Sequence, residues 1–267
     1  MNPITRIIPL NAVILDARPR AAYDAGHIPG ALHADPDRQL ALPHDPAKGG
    51  RHPLPPLAQW TKQLGAWGIT PDTEVVIYDD QSGANAAARA WWMLRAVGHQ
   101  KVAVLDGGLR GDHGEMSPLS TEESHADARD AYPATRWQRS TVDIDDVDAH
   151  RNDPKWKVLD VRSEPRYRGE TEPIDPIAGH IPGAINLPFA ENLDDIYFKD
   201  AAALRTQYQQ LLGDTPVDRL IVHCGSGVTA CHTLLALEAA GMQGASLYVG
   251  SWSEWCRNDA RPREPRG

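Results

Sequence analysis

Short apolar runs alternate with helical patterns along this 267-residue chain. Val75–Tyr78 and Leu220–His223 are short apolar stretches, as expected of strands buried on both faces of a parallel sheet. Behind each comes an alanine-rich helical pattern, over 86–97 and 230–240, closed by Gly98 and Gly241 as helix stops. Runs at Val102–Leu105 and 245–249 predict one more strand in each half, and 57–67 and Ala201–Leu212 predict further helices. Strands alternating with helices predict an α/β fold with parallel sheets flanked by helices on both faces.

The pattern occurs twice. Val13-Ile14-Leu15-Asp16-Ala17-Arg18 is matched by Lys157-Val158-Leu159-Asp160-Val161-Arg162, and Gly26-His27-Ile28-Pro29-Gly30-Ala31 by Gly179-His180-Ile181-Pro182-Gly183-Ala184. Aligning Ser82-Gly83 with Ser226-Gly227 sets Asp80 opposite Cys224. Two copies of about 110 to 125 residues suit ordinary domain sizes. The polar stretch 111–141 lies between them, so the expected division is an N-terminal domain over 1–117, a linker over 118–141 and a C-terminal domain over 142–267.

Charge and composition narrow the function. With 27 Lys and Arg against 36 Asp and Glu the net charge is −9, which disfavours nucleic acid or an anionic membrane as partner. No apolar run is long enough to span a bilayer, and the first residues lack a signal-peptide pattern, so a cytoplasmic protein is expected. The three cysteines, Cys224, Cys231 and Cys256, form no Cys-x-x-Cys and have no ligand-spaced histidines; neither a disulfide scaffold nor a metal site is expected.

Cys224 stands where a strand ends and a helix begins, in the run Cys224-Gly225-Ser226-Gly227-Val228-Thr229-Ala230. A glycine-rich loop there can turn several amide N–H groups inward, and the positive helix end reinforces them. A thiol held in such a nest is expected to react as its thiolate. A cysteine phosphatase would need arginine where Ala230 stands, and a P-loop would need a lysine that the loop lacks. A papain-like protease would need a different local signature.

This loop, the paired Gly-His-Ile-Pro-Gly-Ala segments, Trp91-Trp92, Asp106-Gly107-Gly108-Leu109 and Gly250-Ser251-Trp252 resemble the tandem-domain rhodanese superfamily, nearest its 3-mercaptopyruvate sulfurtransferase branch. Thiosulfate-preferring members usually carry basic residues where Gly225 and Ser226 stand. The resemblance implies two rhodanese-like domains, an inactive N-terminal copy and a catalytic C-terminal one. Cys224 would take sulfur from 3-mercaptopyruvate as a persulfide and pass it to cyanide or to a thiol such as thioredoxin, with no cofactor. A Ser-His-Asp relay is implied at Ser226, His52 and Asp37. Gly225, Gly227, Val228 and Thr229 would cradle the substrate, and Arg166 would bind its carboxylate. A second family arginine is missing from Glu170-Thr171-Glu172-Pro173-Ile174-Asp175-Pro176, with Arg168 as a substitute, and Asn85 stands where an aromatic is common. His27 and His180, present in both halves, are expected to stabilise turns. The rival functions are thiosulfate sulfurtransferase and a persulfide carrier without turnover of a small donor.

Overall fold

A computed structural model describes residues 1–84, 86–112 and 118–264. Asn85 therefore lies outside the described residues. The chain divides into two compact units. The first comprises Met1–Leu42, Leu54–Arg139 and Asp195–Phe198; the second comprises Pro43–Pro53, Ser140–Asp194 and Lys199–Gly267.

In the first unit β1 (Ile4–Thr5), β2 (Val13–Asp16), β3 (Leu32–His33), β4 (Val75–Tyr78) and β5 (Val102–Leu105) form a parallel sheet in the order β1-β5-β4-β2-β3. All four residues of β4 are buried, as their apolar run predicts for a central strand. Helices α1 (Arg20–Ala25), α2 (Leu57–Ala66) and α3 (Ala87–Ala96) accompany the sheet. The stretch expected to be a linker is instead laid along this unit. Arg129 and Tyr132 donate their amides to Gly65 O and Thr61 O, and Gln138 donates to Ala96 O. Gly65 permits the close approach, since a Cβ there would sit 2.4 Å from Asp130 O.

The second unit repeats the plan. Strands β6 (Thr141–Val142), β7 (Lys157–Asp160), β8 (Ile185–Asn186), β9 (Leu220–His223) and β10 (Ser246–Tyr248) run parallel in the order β6-β10-β9-β7-β8. Its helices are α4 (Ile144–His150), α5 (Glu164–Tyr167), α6 (Ala201–Leu212), α7 (Ala230–Ala239) and α8 (Ser251–Trp255). A capping box starts α4: the Asp143 side chain accepts from the Asp146 amide, and the Asp146 carboxylate accepts from the Asp143 amide. Residues 230–237 of α7 are all buried, so this helix is apolar on nearly every side and belongs to the interior. Val158, Ile181, Ile221, Tyr248, Trp252 and Trp255 form a core cluster.

The repeated Leu-Asp-x-Arg motif does the same structural work in each unit. Arg18 grips the Asp16 carboxylate and donates to Gly26 O; Arg162 grips Asp160 and donates to Gly179 O. His27 stacks on Tyr23 at 3.8 Å and His180 on Tyr167 at 3.9 Å, each with Nδ1 at the carbonyl of its stacking partner. These contacts are those of turn-stabilising histidines.

Removing one partner of a buried ion pair leaves an unmatched charge, so Arg18→Met should lower unfolding free energy by about 3–5 kcal/mol. Arg20→Met, which removes exposed pairs with Asp24 and Glu123, should leave the unfolding midpoint nearly unchanged. Urea unfolding of the two variants checks the contrast.

Candidate active site

The loop 224–229 leaves the carboxyl end of the central strand β9 and enters α7, the place where parallel sheets receive ligands. Gly227 turns the loop at φ +76°, and a Cβ there would lie 2.4 Å from Val249 O. Ser251, a non-glycine residue at φ +53°, accepts the Cys224 amide on its Oγ and donates to Tyr248 O. The Cys224 and Gly225 carbonyls accept from the amides of Trp252 and Ser253. One side of the loop is thereby pinned to the start of α8. Among the described residues, the amides of Gly225, Ser226, Val228 and Thr229 have no acceptor within the chain. Cys224 itself is 2% exposed.

Residues 43–53 supply the second component. Gly50, at φ +81°, lies so close to Gly250 that a Cβ would meet its carbonyl oxygen at 2.4 Å. The Gly49 amide donates to Glu254 Oε1, and the Arg51 amide donates to Ser253 Oγ. This docking delivers His52 Nδ1 to 2.7 Å from Ser226 Oγ. It also brings the Arg51 guanidinium against the loop: a Cβ on Gly225 would stand 3.2 Å from Arg51 Nη2 and 3.4 Å from Arg166 Nη2.

Buried carboxylates orient these guanidiniums. Glu172 accepts from Arg166 through Nε and Nη2, at 3.2 and 2.7 Å, and from Arg162 Nη1 at 3.3 Å. Asp175, with a wholly buried side chain, accepts from Arg51 Nε at 3.1 Å and Arg257 Nη1 at 2.7 Å. Burial opposes ionisation of Asp160, but His223 and then Arg162 overcome it and hold its pKa below the usual carboxylate value. Burial would lower the Arg162 pKa, yet Asp160, Glu172 and the Cys224 sulfur outweigh that and raise it. The His223 pKa is lowered, chiefly by complete burial, although Asp160 lies 3.9 Å from Nε2. Its Nδ1 is 3.2 Å from Cys224 O.

Of the residues singled out in the sequence, Cys224, Ser226, His52 and Arg166 are assembled within the second unit, together with Gly225, Gly227, Val228 and Thr229. Arg168 is different: its side chain is 60% exposed and engages Glu164 and Glu170 at the surface. Asp37 belongs to the first unit and is exposed; its amide donates to Asp35 Oδ1, and it lines a cavity of about 820 Å³ with Arg20, His33, Arg38 and Trp67. Sequence reasoning missed Arg51 and the anchoring parts of Glu172 and Asp175. The other cysteines are ill suited to attack. Burial and then Asp175 push the Cys256 thiol up to about 11, while Cys231 Sγ donates to Gly227 O.

The matching loop of the first unit is closed upon itself. Asp79 sits at the end of β4, and its buried carboxyl accepts the amides of Gln81, Gly83, Ala86 and Ala87. Burial raises its pKa and these four donors oppose the rise. Of the amides left unengaged after Cys224, that of Gly225 has a counterpart, the Gln81 amide, taken up by this carboxyl.

A sheet of this order, repeated, with a cysteine loop after the central strand of one copy, is the plan of a rhodanese. The rhodanese-like domain family matches residues 6–114 and 143–258, and the chain belongs to that family as a tandem pair. Over 242 residues it is 44% identical to the Pseudomonas aeruginosa protein named "Probable 3-mercaptopyruvate sulfurtransferase", covering 90% of this chain and 84% of that one. It is 36% identical over 247 residues to the thiosulfate sulfurtransferase of Cricetulus griseus, covering 88% and 79%. The solved structure of 3-mercaptopyruvate sulfurtransferase from Leishmania major superposes with a TM-score of 0.77 at 27% identity, over 92% of this chain and 70% of that one.

A histidine buried in its neutral form keeps its full contribution to stability above its ordinary pKa of about 6.5, and that contribution is lost as pH falls below it. The thermal midpoint should therefore drop between about pH 7.5 and pH 5.5. His223→Gln should make the drop smaller when both proteins are followed by calorimetry.

Proposed function

We propose that the chain is a sulfurtransferase that moves sulfane sulfur from 3-mercaptopyruvate, through a persulfide on Cys224, to a thiol or cyanide, and releases pyruvate. The observation that carries this reading is the convergence on the Cys224 loop of unengaged amides, the Ser226–His52 hydrogen bond and the Arg166 guanidinium. The identity to 3-mercaptopyruvate sulfurtransferases over most of the chain supports the choice of donor.

The Cys224 thiolate attacks the donor's sulfur and forms the S–S bond. The donor's C–S bond breaks, and its electron pair goes to carbon as the enolate of pyruvate. The proton that the donor sulfur carried moves to that carbon, and the Ser226–His52 pair is placed to relay it. Atoms and electrons balance without an oxidant. The amides of Gly225, Ser226, Val228 and Thr229 supply donors for the negative charge that passes through the loop, and Gly227 gives the loop its turn. In the second half-reaction an acceptor thiolate or cyanide attacks the outer sulfur and restores the Cys224 thiolate.

In this reading Asp37 is the third relay member, on the resemblance to the family alone. The first copy, whose loop is filled by Asp79 and which has Asp80 opposite Cys224, transfers no sulfur. The acceptor is a protein thiol such as thioredoxin, and the compartment is the cytoplasm. Three free cysteines fit a reducing compartment. No helix among the described residues is long and apolar enough to cross a membrane.

Cys224→Ser should abolish pyruvate release, because a hydroxyl cannot form a persulfide. Mass spectrometry after one equivalent of donor should find one added sulfur on the Cys224 peptide of the native enzyme. Thiosulfate turned over faster than 3-mercaptopyruvate would favour the reading suggested by the Cricetulus griseus relative. Stable loading without pyruvate release would favour a carrier. For the relay, Ser226→Ala and His52→Ala should each lower kcat by about 10²–10⁴-fold, the usual contribution of positioned acid–base groups. Asp37→Asn should lower it less, and an unchanged pH–rate profile in that variant would remove Asp37 from the relay.

A further inference from the structure

The Arg51 guanidinium is a part of the site that no sequence motif announced. It approaches the same point as Arg166, beside Gly225 and one residue from the nucleophile. Two like charges at one spot repel each other, and the fold tolerates this by buried carboxylates behind them. Four guanidiniums, of Arg51, Arg162, Arg166 and Arg257, share three carboxylates, of Asp160, Glu172 and Asp175. Leaving aside the Cys224 sulfur, the network is one positive charge in excess. Arg51 spends Nε and Nη2 on Asp175, and Arg166 spends Nε and Nη2 on Glu172. Among the described residues, Nη1 of each has no hydrogen-bond partner. Both side chains retain about a fifth of their exposure, at 21% and 18%. Excess charge and unused planar donors on two sides of a glycine suit a carboxylate, which guanidinium forks bind more strongly than neutral donors do.

We propose that Arg51 is the second carboxylate-binding arginine of this site, acting with Arg166, and that Asp175 is its positioning residue. The inference rests on the reading of the donor as 3-mercaptopyruvate and names the part of that donor Arg51 holds. Arg168 has no share in it, because Glu164 and Glu170 engage it at the surface. Gly225 has a steric part: a side chain there would occupy the space into which both guanidiniums reach.

The test is steady-state kinetics of native enzyme, Arg51→Gln and Arg51→Lys with 3-mercaptopyruvate, together with inhibition by pyruvate and by its uncharged methyl ester. Arg51→Gln should raise KM for the donor roughly ten- to hundredfold, the effect of one charge-assisted pair, with kcat changed about threefold or less. Pyruvate inhibition should weaken in parallel while inhibition by the ester stays the same, a split that mere displacement of the 43–53 segment would not produce. Arg51→Lys keeps the charge and loses the fork, so it should fall between, and it carries the test if the glutamine variant does not fold. An unchanged KM, or equal weakening of pyruvate and ester, overturns the role of Arg51 alone. Native enzyme that fails to release pyruvate from 3-mercaptopyruvate overturns the donor reading instead.

Discussion

Glu172 and Asp175 are carboxylates with almost no exposed surface, and an ionised carboxylate taken out of water costs several kcal/mol unless cations meet it. That requirement organises the second unit around β9. Arg162, Arg166, Arg51 and Arg257 come from separate stretches of chain, and each is held by Asp160, Glu172 or Asp175. The carboxylates therefore do more than neutralise. They select one orientation for long side chains that would otherwise sample many, and they leave Nη1 of Arg51 and of Arg166 without a hydrogen-bond partner among the described residues. Preorganisation of this kind is what makes a polar site effective, because the donors need not rearrange when charge develops.

The loop and the 43–53 segment are rigid for a complementary reason. Gly50 against Gly250 and Gly227 against Val249 are contacts of backbone on backbone, closer than any side chain allows. Hydrogen bonds from the Gly49 and Arg51 amides to Glu254 and Ser253 complete the attachment. His52 and Arg51 are adjacent in sequence, so one docking event places both an imidazole and a guanidinium.

Much of the fold was legible because its inner strands are apolar and long enough to have a pattern. Val75–Tyr78, Val102–Leu105 and Leu220–His223 have the bounds the sequence predicts. The two-residue edge strands Ile4–Thr5 and Thr141–Val142 are too short for any periodicity, and backbone pairing alone defines them. The α4 capping box at Asp143 and Asp146 is, by contrast, a local signal carried by the spacing of two acids. In the site, Cys224 is legible from its glycine-rich loop, whereas Ser226 and His52 were implied only by the resemblance to rhodaneses. Arg51 was not, since its partner Asp175 lies 124 positions away and no local rule links them. The same segment around Glu172 was noticed for the arginine it lacks, whereas its acids orient arginines supplied by other parts of the chain. The polar stretch after position 118 resembled a linker because its attachments to Gly65, Thr61 and Ala96 use backbone groups, which composition does not reveal.

Asp79 gives the first unit a different fate from the second. A carboxyl tethered a few residues from the amides that bind it acts at an effective concentration far above that of any dissolved anion, commonly millimolar or more for short tethers. A solute would have to displace a group that can never diffuse away. The tether therefore holds the turn after β4 in place with a group of the chain itself, so the conformation of that loop does not depend on what the solution contains.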